Sequence, residues 1–146
     1  MKVKDLMQTD IVTLRTNDTL DVAEDIMRMG RLRHLPVIQA NNRLVGMVSQ
    51  RDLLRASLSS VLKESAYQQQ KWLGKIAVRD VMSKGVVAIE ADADIEEALN
   101  VLLIEKFGCL PVVEEKKLVG VLTETDLLEY LQRLLQEGKS KKKKSK

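Results

Sequence analysis

The sequence has little of what several classes of protein require. Its 146 residues include one cysteine, one histidine, two prolines, one tryptophan, two tyrosines and one phenylalanine. The single cysteine, Cys109, excludes an intramolecular disulfide and fits a reducing compartment. No apolar run is long enough to span a bilayer, and the first residues lack the apolar core of a signal peptide. We therefore expect a cytoplasmic protein with no membrane span.

The same scarcity argues against catalysis and metal binding. His34 is the only histidine and no Cys-x-x-Cys pair is present, so a zinc site would lack ligands. Cys109 has no base beside it, and no other nucleophile–base pair can be recognised. The few aromatic residues cannot form a stacking platform for single-stranded nucleic acid. The sequence predicts a protein that is not an enzyme, holds no metal and binds no specific nucleic acid.

Positive charge is concentrated at the C-terminal end. Residues 139–146 carry six lysines, and without them the formal net charge of +3 becomes −3. Because like charges in one block repel each other, we expect residues 137–146 to form a disordered basic tail. Such a tail could attract nucleic acid or anionic lipid weakly, although a solubilising terminus is the simpler interpretation.

The chain contains one pattern twice, about 75 residues apart. The recurring segments are Lys4-Asp5-Leu6-Met7 with Arg79-Asp80-Val81-Met82, His34-Leu35-Pro36-Val37 with Cys109-Leu110-Pro111-Val112, and residues 44–54 with residues 118–128. The spacing shortens by one residue between Val112 and Leu118, as expected for a deletion in a polar turn. Two copies of one supersecondary unit explain the pattern.

Each copy predicts the element order β-α-β-β-α. The first copy is expected to have a strand at 11–14, a helix capped by Asn17 or Asp18 and ending at Gly30, strands at 35–38 and 43–48 joined by Asn41-Asn42, and a helix from Ser49 to Leu58. The second is expected to have a strand at 86–89, a helix capped by Asp92 or Asp94, strands at 110–113 and 118–122, and a helix from Thr123 to about Gln136 that stops at Gly138.

These patterns divide the chain into four parts: repeat 1 (1–58), a helical linker (59–76), repeat 2 (77–136) and the basic tail (137–146). The linker is expected to extend the second helix, and its Trp72 and Leu73 to pack on the domain. Gly46 and Gly120 lie inside predicted strands, where a missing side chain permits another backbone to approach closely. Each repeat is near the size at which a lone core is marginal, so the repeats are expected to bury apolar faces against each other.

A hydroxyl followed three residues later by an acid opens the last helix of each copy. Ser49 precedes Asp52, and Thr123 precedes Asp126, in both cases directly after a strand. This is the spacing of a capping box, in which hydroxyl and carboxylate satisfy free amides of the first turn. A helix N-terminus also attracts anions, a hydroxyl can bind phosphate, and a carboxylate can accept both hydroxyls of a ribose. The sequence leaves both roles open.

The box after a Val-Gly strand, the Leu-Pro-Val strand upstream and the duplication of both resemble a pair of CBS domains, also called a Bateman module. The resemblance covers residues 1 to about 136, which leaves no catalytic domain, so a stand-alone module is expected. It implies an α+β (mixed α/β) fold in which two β-α-β-β-α repeats pack sheet to sheet around a pseudo-twofold axis. It also implies that adenosyl ligands bind in the clefts between the repeats.

In this family the acid of the box holds the ribose, and the hydroxyl and nearby basic side chains hold phosphate. Backbone near the first strand and the Leu-Pro strand borders the adenine. The ligand-binding residues that the resemblance implies are Thr13, Thr16, Arg33, His34, Leu35, Pro36, Ser49, Arg51 and Asp52 in repeat 1, and Cys109, Leu110, Pro111, Thr123, Thr125 and Asp126 in repeat 2.

The repeats differ where phosphate would bind. The positions concerned are Thr16, Arg33, His34 and Arg51 in repeat 1 and, in the same order, Ala91, Gly108, Cys109 and Thr125 in repeat 2. Forked arginine donors suit phosphate, and a protonated histidine adds another donor. Repeat 2 keeps the ribose acid without these cations, and Glu124 adds negative charge nearby. The sequence predicts that one site prefers a phosphorylated adenosine and that the other is empty or takes a less charged ligand.

We therefore expect a non-enzymatic regulatory module, without a covalent cofactor, that senses energy state through AMP, ADP or ATP in preference to S-adenosylmethionine or NAD. Binding would change its conformation or oligomeric state, because a ligand acts by favouring one state over another. The apolar helices predict a homodimer acting on an unidentified regulated protein. The alternatives are a structural dimerisation module that binds no ligand, and weak nucleic-acid or membrane binding through the lysine-rich tail.

Overall fold

The computed structural model describes residues 1–58 and 65–145, and its elements confirm the predicted mixed α/β fold and β-α-β-β-α order. Repeat 1 contains β1 (Leu14–Arg15), α1 (Leu20–Gly30), β2 (His34–Gln39), β3 (Arg43–Ser49) and α2 (Gln50–Leu58). Helix α3 (Ala66–Leu73) follows. Repeat 2 contains β4 (Ile89–Glu90), α4 (Ile95–Glu105), β5 (Cys109–Glu114), β6 (Lys117–Thr123) and α5 (Glu124–Lys144). Short 3-10 turns lie at Val3–Asp5, Ala40–Asn42 and Val78–Asp80.

Each repeat contributes three neighbouring strands. In repeat 1, β1 pairs in parallel with β2, which pairs antiparallel with β3. In repeat 2, β4 pairs in parallel with β5, and β5 lies next to β6. Both hairpins turn on pairs of residues with positive φ: Asn41 (64°) and Asn42 (60°) in the first, and Glu115 (50°) and Lys116 (66°) in the second. The first turn was predicted because asparagine tolerates this conformation.

The described chain folds into two compact units, and each contains segments of both repeats. The Asp52 unit comprises residues 12–87 and 115–118, and the Asp126 unit comprises residues 1–11, 88–114 and 119–146. In the Asp52 unit, the Val78 amide donates to the Asp18 carbonyl at 2.7 Å. In the Asp126 unit, the Val3 amide donates to the Ala93 carbonyl at 2.9 Å. The recurring segment that precedes the first strand therefore packs, in each case, on the other repeat.

The predicted apolar faces and these exchanged segments form two cores. The core of the Asp52 unit contains Leu14, Leu20, Ala23, Met27, Leu35, Val37, Val48, Leu53, Leu73 and Val78. The core of the Asp126 unit contains Val3, Ile89, Ala91, Ala98, Leu102, Leu110, Val112 and Leu122. As predicted, Leu73 is buried and Trp72 packs beside it, with the indole N–H donating to the Ala56 carbonyl at 3.3 Å.

The first strand of each repeat is shorter and lies later than predicted. The expected strands at 11–14 and 86–89 are replaced by the shorter strands β1 and β4. Only two residues in β1 and two in β4 form pairs with the neighbouring strand. Helix α1 begins after Thr19, so the predicted caps Asn17 and Asp18 are wrong. The Asp18 carboxylate instead accepts from the Arg15 amide at 2.8 Å and closes the turn before the helix. In repeat 2 the cap position is Asp94, one of the two predicted.

Helix α5 is longer than predicted. It continues through Gly138 to Lys144, so the expected end near Gln136 is wrong, and the residues expected to be disordered are helical as far as Lys144. A glycine in a helix interior costs only about 1 kcal/mol, and lysine is a good helix former. Positive charge in the last turn also interacts favourably with the helix dipole. The linker 59–76 was expected to extend α2, and residues 59–64 of it lie outside the described residues, as does Lys146. Its described part does not continue α2, because the extended backbone of Ser65 caps the separate helix α3.

Candidate ligand-binding site

The Ser49–Asp52 box closes a hydrogen-bonded ring at the start of α2. The Asp52 amide donates to Ser49 Oγ at 3.2 Å, while Asp52 Oδ2 accepts from the Ser49 amide at 2.7 Å and from its hydroxyl at 2.9 Å. The predicted capping role is therefore confirmed. Asp52 is partly exposed, and its Oδ1 accepts no hydrogen bond from any residue that the structure describes.

The Thr123–Asp126 box repeats this ring at the start of α5. The Asp126 amide donates to Thr123 Oγ1 at 3.3 Å, and Asp126 Oδ2 accepts from the Thr123 amide at 2.7 Å and from its hydroxyl at 2.8 Å. Its other oxygen differs from that of Asp52, because Asp126 Oδ1 accepts from Gln8 Nε2 at 2.5 Å. Asp126 is also buried, with 7% of its surface exposed.

Strand pairing brings Arg33 and His34 next to the box that contains Arg51, so three of the four predicted phosphate-binding residues of repeat 1 lie together. His34, at the start of β2, lies opposite Ser49, at the end of β3. The Arg33 carbonyl accepts from the Gln50 amide at 2.8 Å, and the side chains of Arg33 and Arg51 are exposed. Two guanidinium groups, an imidazole, a hydroxyl and a carboxylate are therefore carried by adjacent segments of the Asp52 unit. Such a set can bind an anion through its donors and a diol through its acceptor.

The matching segments of repeat 2 are adjacent too, but their chemistry differs. The Glu124 amide faces the Gly108 carbonyl at 3.4 Å, and Thr125 is exposed. Burial raises the pKa of the Cys109 thiol to about 11, and the negative charge of Asp126 adds to the shift. A neutral thiol and a glycine thus lie where repeat 1 has an imidazole and a guanidinium. Repeat 2 offers an anion no cation at these positions.

The remaining predicted residues lie beside the strands. Thr13 precedes Leu14, whose partner in β2 is Val37, and the Thr16 carbonyl accepts from the Arg79 amide at 3.2 Å. The side chains at the four Leu-Pro positions are buried, namely Leu35, Pro36, Leu110 and Pro111. Because their side chains are buried, these four can offer a ligand only their backbone. Their ligand role, like that of the other site residues, stays a prediction.

The structure adds two residues that the sequence did not single out, Gln8 and Ser83. They hold equivalent backbone positions: Gln8 exchanges hydrogen bonds with Val121, and Ser83 exchanges them with Met47. The available signal was that they follow the recurring segments and differ in type. Their carbonyls also confirm the interpretation of the strand glycines, because a Cβ at Gly120 would lie 2.9 Å from the Gln8 carbonyl oxygen.

Two kinds of feature are absent from the part of the chain that the structure describes. Within residues 1–58 and 65–145, no cluster of three histidine, cysteine, aspartate or glutamate side chains is placed to hold a metal ion. Over the same residues, no helix has both the length and the apolar character that crossing a membrane requires.

Comparison with known proteins shows what the repeats are similar to. The family model described as CBS domain matches residues 3–59 and 78–133. A CBS domain-containing protein of Dictyostelium discoideum is 32% identical over 135 residues, which cover 92% of this chain and 93% of the relative. The structure of a Vibrio cholerae protein named for acetoin utilization (AcuB) has a TM-score of 0.80 at 34% identity, with 96% of both chains covered. CBSX2, solved in complex with AMP, has a TM-score of 0.77 at 27% identity, covering 90% of this chain and 97% of its own.

Proposed function

Because this chain belongs to the CBS domain family, with matches to both repeats, we propose that it is a regulatory module that binds an adenosine nucleotide of the AMP, ADP or ATP class. The observation that supports this most is the Asp52 box, where a carboxylate oxygen without a described partner lies at a helix N-terminus. A related CBS pair, CBSX2, was solved with AMP.

The chemistry of the Asp52 box suits a nucleotide. Asp52 Oδ1 has two lone pairs with which to accept the two hydroxyls of a ribose. The first turn of α2 presents amides and the positive end of the helix dipole, which favour phosphate. Arg33 and Arg51 add forked donors on adjacent segments. S-adenosylmethionine and NAD fit less well, because the first carries no phosphate and the second requires room for a second nucleoside.

We also propose how the module acts: it catalyses no reaction, works in the cytoplasm and changes conformation or oligomeric state according to the nucleotide bound. This requires different affinities for the two states. The regulated partner would be a separate protein. A homodimer is supported by apolar side chains on α5, where Leu128, Leu131 and Leu135 are 64%, 49% and 59% exposed. Exposed apolar patches commonly mark interaction surfaces.

Calorimetry on the full chain tests the proposed function with AMP, ADP, ATP and adenosine. The nucleotides are expected to bind, and Arg51→Ala is expected to weaken them at least about tenfold because a hydrogen bond to a charged group is lost. Adenosine affinity should change little. Arg43→Ala is the matched control, since it removes the same exposed charge at the opposite end of β3.

Thermal unfolding gives an independent readout. A nucleotide at a hundred times its dissociation constant adds about 2.7 kcal/mol, which raises the melting temperature of a domain of this size by several degrees. No shift with any of the three nucleotides would favour the structural dimerisation module instead. Binding that disappears on deletion of residues 139–146 would favour the lysine-rich tail as the site.

A further inference from the structure

The two boxes differ in how many acceptor positions they leave open. A carboxylate offers about four lone-pair directions. In both boxes Oδ2 takes two hydrogen bonds from the capping hydroxyl residue. In Asp126 a third direction is taken by Gln8 Nε2 at 2.5 Å, whereas Oδ1 of Asp52 has no partner among the described residues. A ribose diol needs two acceptor positions, so Asp52 can take it as it stands and Asp126 cannot.

The Gln8 contact is not needed for capping. The Asp52 box completes the same ring, with the same partners and similar distances, and has no counterpart of Gln8. The equivalent position is Ser83, whose side chain makes no hydrogen bond to Asp52. The difference between the boxes therefore comes from one side chain on an otherwise matching backbone.

The Gln8 side chain can move without disturbing the fold. Its backbone is held by two hydrogen bonds to Val121, at 2.8 Å and 3.0 Å, which do not involve the amide of the side chain. Residue 8 is exposed, and the side chain enters neither core. Breaking its contact leaves the buried Asp126 carboxylate with an unmet acceptor, so a competing ligand must compensate for that loss.

We propose that Gln8 is a latch on Asp126 that keeps the repeat 2 box from taking a ribose, so that each chain binds nucleotide tightly through Asp52 alone. The inference rests on the proposed function. It adds that the Asp52 box binds the ribose and that Gln8 prevents the Asp126 box from doing so. The neutral thiol of Cys109 beside Asp126 acts in the same direction, because it supplies no cation for phosphate.

Exchanging the two equivalent residues tests the latch. AMP is titrated calorimetrically into the full-length chain, Gln8→Ser and Ser83→Gln. The parent chain is expected to show a single tight site, and Gln8→Ser to gain at least about tenfold in affinity at a second site. Asp126→Asn in the Gln8→Ser background should abolish that gain. Ser83→Gln should weaken the tight site by a similar factor, because glutamine then reaches Asp52 as Gln8 reaches Asp126.

Each outcome decides between the latch and a purely structural contact. Unchanged site number and affinities in Gln8→Ser, with the variant folded by circular dichroism, overturn the latch and leave the proposed function standing. Two AMP sites of equal affinity in the parent chain would also overturn the latch and leave the proposed function standing. No binding of AMP by any of the three chains overturns the proposed function for AMP, and the latch with it. Ser83→Gln keeps the test valid where Gln8→Ser fails to fold.

Discussion

His34 and Cys109 show how one position in a duplicated unit can carry different chemistry. His34 carries an imidazole, which has two ring nitrogens for hydrogen bonding, on the strand that pairs with the end of β3. Cys109 holds the same position in β5, is half-buried, and lies near the carboxylate of Asp126. Burial and that negative charge both disfavour the thiolate, so its pKa rises to about 11. The thiol therefore stays neutral at physiological pH.

This shift predicts slow alkylation and a loss of stability at high pH. At pH 8 about one Cys109 in a thousand is ionised in the folded chain, against about one in ten at the ordinary pKa of 9.0. Because the pKa of this thiol is higher in the folded chain than in the unfolded chain, its contribution to the free energy of unfolding is complete below pH 9.0. That contribution is lost as the pH rises to about 11, because the unfolded chain then releases its proton more readily than the folded chain. Reaction with iodoacetamide should be at least about tenfold slower in the folded chain than in urea, because the loss of thiolate outweighs the greater nucleophilicity of a thiolate of higher pKa.

Because the sequence has no second cysteine, every alkylation event reports on this thiol. Cys109→Ser provides the blank. Equal rates for the folded and the urea-unfolded chain would contradict the neutral, shielded thiol.

At the scale of the elements, Gly120 in β6 has no room for a side chain, whereas Gly138 in α5 has open space around it. In β6, a Cβ at Gly120 would lie 2.9 Å from the Gln8 carbonyl oxygen, and backbone cannot move aside as a flexible side chain can. In α5, a Cβ at Gly138 would meet nothing within 4 Å. Gly120→Ala should therefore cost about 1–3 kcal/mol of unfolding free energy through overpacking. Gly138→Ala should add about 1 kcal/mol through helix propensity.

Urea unfolding of the two variants measures both changes, with each substitution serving as the control for the other. A Gly120→Ala midpoint equal to that of the parent chain would show that β6 and residues 1–11 separate easily. An unchanged or lower midpoint for Gly138→Ala would contradict a helix that continues through this residue.

The order of the elements could be predicted because turns, caps and apolar periodicity are local signals. Asn41-Asn42 marks a turn by its backbone preference, and Ser49 marks a helix start by its spacing from Asp52. The end of α5 was missed because Gly138 is a weak stop signal against a run of lysines. Gln8 was missed for a different reason: its contact with Asp126 joins residues 118 positions apart, and no local pattern encodes it.

At the scale of the whole molecule, only the fold explains why the segment Lys4–Met7 recurs as Arg79–Met82. These segments are too short to show periodicity, yet Val3 and Val78, which lie in the same 3-10 turns, are fully buried. Each turn completes the core of the unit that holds most of the other repeat. Neither repeat can therefore form its observed core from its own residues alone, which explains why the duplication acts as one module.

The apolar stripe of α5 leads to the last prediction, which concerns assembly. Leu128, Leu131 and Leu135 follow at helical spacing and remain exposed, as do Leu103 and Ile104 of α4 at 73% and 76%. We expect the full chain to sediment as a dimer that buries this stripe. Leu131→Glu should shift it to monomer, because a carboxylate in an apolar interface loses its hydration without a partner. Gln136→Glu adds the same charge about 140° around the helix from Leu131 and should leave the dimer intact. Sedimentation velocity distinguishes the two variants. A parent chain that is already monomeric would contradict the predicted dimer. A Leu131→Glu variant that stays dimeric would show that the two copies contact each other through another surface.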